Sequence, residues 1–368
     1  MKLGFFTMPV HPQGRPYVET LKEDRAAFIL ADRLGYSEAY CGEHLTDACE
    51  NIPNSMMFLT SLIDATKQIK LGTAVANLPF SHPVIVASNA AMLDNLLEGR
   101  LILGVGAGVL RSDAEALGIL DKDRGAMFVE AIDQVIAIWT GEAPYKITGK
   151  FWNVTTEKTL SPELGVGMIV KPYQKPHPPI VGTVTDPNSP GIVALGRRGW
   201  WPVTANYLHA KWIRNHWTNY VRGAEEAGRR PDRSQWRVAR SIFVADDDKV
   251  AQRYGRTDAN SPYRFYMSQL STKLRLGRKL GAFKREEAMA DEAVTVDYIM
   301  DNLVIAGGVN SVVDQLLALH EETGGFGTLL YCGKNWTDPA LGRKSMELMA
   351  EKVMPAVNAA LGRTKAAE

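Results

Sequence analysis

The chain has 368 residues, of which 42 are basic and 41 acidic, so its formal net charge is +1. This balance gives no reason to expect a nucleic acid or an anionic membrane surface as partner, and a small molecule is the expected ligand. The 3 cysteines lack a CxxC spacing and no apolar run has the length of a membrane span, so we expect a cytoplasmic protein rather than a secreted or membrane-bound one.

Apolar runs alternate with helix-like periodicity along the first half of the chain. The pattern predicts strands at 2–8, 36–41, 69–75 and 100–105, and helices at 18–34, 55–66, 84–97 and 124–139. Residues 71–108 form one complete β-α-β unit with small residues at its strand ends. These are Gly72, Thr73, Ala74, Gly104, Gly106, Ala107 and Gly108. They indicate either tight strand–helix packing or a surface on which a flat ligand lies against the backbone.

The alternation continues after an irregular stretch at 140–178, which we interpret as an insertion over a site. Strands are predicted at 179–183, 200–204, 236–245 and 326–332, and helices at 192–198, 208–227, 309–322 and 341–361. The turn Thr185–Gly191 supplies favourable N-cap residues, and a helix start of this kind suits a phosphate. The eight strand–helix units predict an α/β protein with a (β/α)8 TIM barrel, a single domain over 1–368 with insertions at about 140–178 and 255–305.

A basic stretch lies in the later insertion. Residues 264–285 contain seven lysines and arginines and no acidic residue. Either a solvated helix face or the docking of an anionic ligand or protein accounts for this composition.

In such a barrel the chemistry lies at the carboxyl ends of the strands. That rule selects Glu43, His44, Asn77, Gly104–Gly108, Thr183–Ser189, Asn206, Tyr331 and Asn335. His44 can exchange a proton near neutral pH, although a structural role beside Glu43 is equally open. The glycines of Gly104–Gly108 depart from the dinucleotide fingerprint, and the Walker, HExxH and GxSxG motifs are missing. We therefore expect no metal, nucleotide-triphosphate or serine-hydrolase site.

The run GTAVANLPFSHPVIVASNAAMLDNLLEGRLILGVGAG, with Glu43, His44 and a GGFGTLL run near the end, resembles the bacterial luciferase-like flavin-dependent monooxygenases. The turn Asn188–Pro190, the segment Glu50–Asn54 and the long insertion are most similar to the limonene and diketocamphane monooxygenase branch. The resemblance covers nearly the whole chain. It implies a barrel with insertions, a homodimer, and a two-component system in which a separate flavin reductase supplies reduced FMN.

The resemblance also implies the reaction. Reduced FMN and O2 would give a flavin C4a-(hydro)peroxide that oxygenates an apolar small molecule such as a terpene or cyclic ketone. Baeyer–Villiger insertion, epoxidation and hydroxylation all remain open.

The site residues that the resemblance implies fall into three groups. His44 is the catalytic histidine beside the flavin, and Ala74–Val75 is a non-proline cis peptide under its ring. Asn188 and Ser189 lie at the phosphate end, and alanine at position 107 departs from members that carry an arginine there, which implies modest phosphate affinity. The implied cofactor-binding residues are Ala74, Val75, Asn77, Gly106, Ala107, Thr183, Asn188 and Ser189.

Two other functions are compatible with the same scaffold. One is a deazaflavin-dependent oxidoreductase, which needs no O2 chemistry. The other is a non-catalytic flavin-binding subunit, against which the presence of His44 argues.

Overall fold

The structure is a computed structural model that describes residues 1–8, 10–334 and 337–367. Its strands are β1 (Lys2–Thr7), β2 (Glu38–Cys41), β3 (Lys70–Thr73), β4 (Ala76–Asn77), β5 (Leu101–Gly106), β6 (Lys146–Thr148), β7 (Asn153–Thr155), β8 (Ile180–Val184), β9 (Trp201–Thr204), β10 (Arg237–Ala245), β11 (Val304–Gly308) and β12 (Thr328–Cys332). Its α-helices are α1 (Tyr17–Arg33), α2 (Ser55–Thr60), α3 (Pro83–Leu96), α4 (Arg111–Ala116), α5 (Arg124–Thr140), α6 (Gly191–Arg198), α7 (Ala210–Glu226), α8 (Asp248–Gln252), α9 (Pro262–Leu276), α10 (Val296–Leu303), α11 (Val309–Thr323), α12 (Pro339–Leu348) and α13 (Met354–Ala367).

The chain divides into two compact units. Met1–Ala39 and Gly182–Glu368 form the terminal unit, and Tyr40–Val181 form the central unit. The chain passes from one unit to the other within β2 and within β8. No helix in the described part of the chain is both long enough and apolar enough to span a membrane.

The central unit is built around the β-α-β segment that the sequence predicts. Strand β5 pairs in parallel with β3, where Leu71 lies opposite Leu101, and with β4, where Ala76 lies opposite Val105. The bend between β3 and β4 contains the Ala74–Val75 peptide bond, which is cis as predicted. The predicted strand at 69–75 therefore ends earlier, at Thr73, and β4 follows the bend, which adds one residue relative to β5.

The insertion at 140–178 contains a regular element that the sequence analysis did not predict. Strands β6 and β7 form an antiparallel hairpin in which Ile147 lies opposite Val154. The carboxylate of Glu130 on α5 accepts hydrogen bonds of 2.8–2.9 Å from the backbone N–H groups of Lys150, Phe151 and Trp152. Strands of three residues are too short to show a period of two, so the pattern does not predict them.

In the terminal unit β10 is buried along its whole length. It pairs in parallel with β9, β11 and β12, and β12 pairs in parallel with β1. Strand β11 was not predicted, since its sequence VIAGG is short, begins at the end of a presumed insertion and ends in two glycines. The predicted helix at 341–361 is divided between α12 and α13 by a π-helical turn at Met349–Val353.

Candidate active site

The His44 imidazole lies between two buried carboxylates in the loop region that follows β2. Its Nδ1 is 3.0 Å from Oδ2 of Asp113 and its Nε2 is 3.3 Å from Oε2 of Glu50. The His44 side chain is 14% exposed, against 1% for Asp113 and 8% for Glu50. Both ring nitrogens therefore have an acidic partner in a region from which water is largely excluded.

Asp113, on α4, is the residue that orients this imidazole. Besides His44 it accepts hydrogen bonds from the backbone N–H groups of Leu45 and Thr46 and from the Thr46 hydroxyl, at 2.6–3.1 Å. Burial alone would raise the pKa of Asp113, but the hydrogen bonds from His44 and Thr46 outweigh it and hold that pKa below its ordinary value. Because an ionised carboxylate only accepts hydrogen bonds, Nδ1 carries a proton.

At the other end of the ring, Nε2 faces Oε2 of Glu50 at 3.3 Å, an ion-pair distance when the imidazole is protonated. The sequence analysis named His44 and not Asp113 or Glu50 as site residues. Asp113 is 69 residues away along the chain, in a short helix that was not predicted.

The Glu43 carboxylate is held by two other segments of the central unit. Its carboxylate accepts hydrogen bonds from the backbone N–H and hydroxyl of Ser55, at 2.8 and 2.6 Å, and from the backbone N–H of Asn77, at 2.9 Å. Glu43 therefore ties the His44 loop to the start of α2 and to β4. Because β4 begins directly after Val75, this bond places the His44 loop next to the cis bend.

The bend presents an apolar surface. Val75 is the one residue of 71–79 that is not buried. A Cβ at position 106 would lie 2.5 Å from Cγ2 of Val75, and one at position 104 would lie 1.8 Å from the carbonyl oxygen of Thr73. Glycine at 104 and 106 is thus needed for packing of the bend on β5, and the half-exposed Val75 remains available to a flat ring. These residues fit the ring of a flavin.

The terminal unit contains the turn that the sequence associates with phosphate. Asn188 is exposed; its Nδ2 donates to Glu287 at 3.1 Å and its Oδ1 accepts from Asn215 at 2.9 Å. The expectation of favourable N-cap residues before α6 was wrong, because the N-cap is Pro190, which has no side-chain acceptor and makes no side-chain cap. In the described part of the chain, the N-cap side chain therefore leaves the first N–H groups of α6 uncapped, a feature that suits an anion.

A cavity of about 390 Å³ adjoins this turn within the terminal unit. Its charged lining residues are Asp186, Lys284 and Glu287. Lys284 forms an ion pair of 2.7 Å with Asp291, so the two carboxylates of the lining offset much of the attraction for a phosphate. This charge balance is compatible with a phosphate held with modest affinity.

The structure places the other residues selected from the sequence in different environments. Gly106 and Ala107 are half-exposed at the end of β5, and Thr183 is half-exposed on β8. Asn206 donates to Ser241 at 2.8 Å, in a buried position. Tyr331 is buried and donates to Ser345 at 2.9 Å, which indicates a structural role, while Asn335 lies outside the described residues.

In the basic stretch, cations pair with carboxylates from other segments of the terminal unit at Arg264, Lys279 and Lys284. The pairs favour the interpretation of a solvated, ion-paired face.

The family model of the luciferase-like monooxygenases matches residues 1–325 of this sequence. The chain belongs to the luciferase-like monooxygenase family. It is therefore a flavin-dependent monooxygenase with the (β/α)8 barrel fold that the strand–helix alternation predicts.

Characterised relatives align over almost the full length of this monooxygenase. It is 31% identical to 4-hydroxyprotoasukamycin monooxygenase of Streptomyces nodosus subsp. asukaensis, over 98% of this chain and 93% of that protein. It is 29% identical to limonene 1,2-monooxygenase of Rhodococcus erythropolis, over 98% of this chain and 87% of that protein.

A solved structure gives the same assignment. The oxygenating constituent of 3,6-diketocamphane monooxygenase from Pseudomonas putida, a type II Baeyer–Villiger enzyme in complex with FMN, superposes with a TM-score of 0.86. The two chains are 28% identical, and the match covers 96% of this chain and 98% of the other. The resemblance to the limonene and diketocamphane branch is thereby confirmed.

Proposed function

We propose that this monooxygenase is the oxygenase component of a two-component system. It takes reduced FMN from a separate flavin reductase and, with O2, oxygenates an apolar small molecule such as a terpene or cyclic ketone. The observation that carries the proposal is His44, held by the ionised Asp113, on a loop that Glu43 ties to the bend after Val75. The printed names of the limonene and diketocamphane relatives support an apolar substrate.

The proposed cofactor contacts are those that the sequence analysis identifies. Val75 offers an apolar face to the isoalloxazine ring, and the turn before α6 offers backbone N–H groups to the phosphate. When bound, reduced FMN supplies the electrons that activate O2. The residues assigned to FMN are Ala74, Val75, Asn77, Gly106, Ala107, Thr183, Asn188 and Ser189.

The protein's own contribution is proton control. His44 is the proposed catalytic residue, and its Nε2, which faces Glu50 at 3.3 Å, is the proposed point of proton transfer. Asp113 stays ionised and compensates the charge when the imidazole is doubly protonated. The segment at 140–178, anchored to Glu130 through its hairpin, is proposed to limit the entry of water. We further propose that 1–368 is a single domain and that two copies of the chain form a homodimer.

The deciding experiment follows the oxygen atom. Purified protein with photoreduced FMN is mixed with isotopically labelled O2 and a panel of apolar ketones and alkenes, and the products are analysed by mass spectrometry. We expect one labelled oxygen atom per product molecule, as a lactone or ester from a ketone or as an epoxide from an alkene.

Two outcomes would contradict the proposal. Unlabelled product formed only with a reduced deazaflavin would identify a deazaflavin-dependent oxidoreductase. Flavin binding without turnover of any substrate in the panel, together with activation of an added partner chain, would identify a non-catalytic subunit.

A further inference from the structure

A second cavity, of about 450 Å³, lies in the terminal unit between α7, β10 and α11. It shares no lining residue with the cavity next to Asn188. Its least exposed charged residue is Arg240 on β10, which is 4% exposed. Within the described part of the chain, Nη1 of Arg240 is fully buried and has no hydrogen-bond partner. A buried cationic donor without an acceptor costs free energy, so it indicates a ligand that supplies one.

The other cations of the cavity already have acceptors or are exposed. Lys211 pairs with Glu286 at 2.6 Å. The Arg256 guanidinium donates to the carbonyl oxygen of Val304 and to Gln315. Arg285 is exposed. Arg240 is thus the cation most in need of an anion.

The remaining charged groups leave the cavity receptive to one negative charge. Burial and the neighbouring cations lower the pKa of His209 to about 4, so this histidine is neutral at pH 7. Burial lowers the pKa of Arg240 to about 10, which leaves it protonated at that pH. The acidic lining residues, Glu286, Asp301 and Glu322, are all exposed, so water screens their charges.

We propose that this cavity binds a small organic carboxylate, which pairs with the guanidinium of Arg240. A guanidinium presents parallel N–H donors whose spacing matches the two oxygens of a carboxylate. The cavity also has buried apolar lining at Leu303, Ile305 and Leu319, which would cover the hydrocarbon body of the acid. Its volume lies in the usual range of small-ligand sites.

The test is calorimetric titration of the full chain with p-bromobenzoate, with p-bromobenzamide as its uncharged counterpart, in the presence of saturating FMN. We expect the acid to bind and the amide not to bind. The Arg240→Gln variant removes the cation and is expected to weaken binding of the acid about tenfold or more. The exposed Arg230, outside the cavity, provides the matched control, and Arg230→Gln is expected to leave the affinity unchanged.

A second variant separates loss of the site from loss of the fold. Ala318 is exposed and lines the cavity from α11, so Ala318→Trp fills the space while Arg240 stays in place. It is also expected to weaken binding about tenfold or more, without a change in the circular dichroism spectrum. A crystal soaked with the bromo acid should show the bromine anomalous signal next to Arg240.

Four outcomes would overturn the proposal. Equal binding of acid and amide would remove the role of the charge. Unchanged affinity in Arg240→Gln, or binding of the acid only when FMN is left out, would place the acid elsewhere. Binding of inorganic phosphate in an Arg240-dependent manner, without binding of the bromo acid, would assign the cavity to an inorganic anion. None of these readouts depends on oxygenase activity, so they are distinguishable from failure of the proposed function.

Discussion

The surroundings of His44 and the turn at Asn188 are built in opposite ways. Asp113 beside His44 is fully buried and accepts hydrogen bonds from the histidine and from the backbone and hydroxyl of Thr46. Asn188 is exposed and lies between a half-buried amide, Asn215, and an exposed carboxylate, Glu287.

This difference has a physical consequence for each region. Around His44 the orientation of the imidazole is set before any ligand binds, as proton transfer requires. At Asn188 the carboxylates of Asp186 and Glu287 oppose the positive charge of Lys284, and this limits the attraction for an anion. The structure therefore fixes the orientation of the His44 imidazole closely and provides little net attraction for a phosphate at Asn188.

Removal of the imidazole is the strongest test of the pre-oriented region. In a reductase-coupled assay His44→Ala should lower product formation about a hundredfold or more, since a positioned general acid or base contributes at least that much. His82→Ala is the matched control, because His82 is an exposed histidine of the same unit that caps α3. Product formation by His44→Ala at the wild-type rate would return His44 to a structural role.

Replacement of the orienting carboxylate should have a smaller effect. Asp113→Asn keeps the shape of the side chain but removes its charge, and we expect kcat to fall about tenfold to a hundredfold while KM changes little. Asp123→Asn, at the N-cap of α5, is the control for loss of an aspartate in the same unit. A fall in kcat that is equal in the two variants would show that Asp113 acts only on stability.

Asp113 also predicts a pH dependence of stability. Its pKa is lowered in the folded protein, so it stabilises the fold above the unfolded-state pKa of about 4, and this contribution is lost as the pH falls through the lower folded value. The difference in free energy of unfolding between wild type and Asp113→Asn should therefore be largest near neutral pH and shrink below about pH 4. Urea titrations at several pH values measure it, and a difference that grows on acidification would contradict the assignment.

The sequence predicts those features of the two regions that depend on residues close together in the chain. Strand–helix alternation was sufficient for the fold class, whereas the position of the cis bend followed from the family resemblance that 71–108 carries. His44 could be selected because it follows a strand end. Its partner Asp113 could not, because the contact spans 69 residues and depends on a six-residue helix without a distinctive period.

Other omissions have related causes. Strand β11 and the β6–β7 hairpin are too short for periodicity, and they are stabilised by pairing with β10 and by the Glu130 carboxylate rather than by their own composition. The N-cap of α6 was assigned wrongly because the turn has good capping residues one and two positions before the actual N-cap, Pro190. The burial of an individual side chain cannot be read from the sequence, so nothing distinguished Arg240 from the other residues of its predicted strand.

The smallest expected effect concerns the turn at Asn188, where a substitution should strengthen the binding of a phosphate. Glu287→Gln retains an oxygen that accepts from Asn188 and removes one negative charge from the cavity lining. Because an exposed charge contributes at most about 1 kcal/mol, the Kd for FMN should tighten about twofold to fivefold at low ionic strength, and the gain should fade with added salt. Riboflavin, which lacks the phosphate, should bind both proteins equally.

Glu286→Gln changes the adjacent residue, whose carboxylate pairs with Lys211 outside this cavity, and should leave FMN binding unchanged. An equal gain for riboflavin would mean that the phosphate does not lie at this turn, and the contrast with His44 would then rest on the His44 region alone.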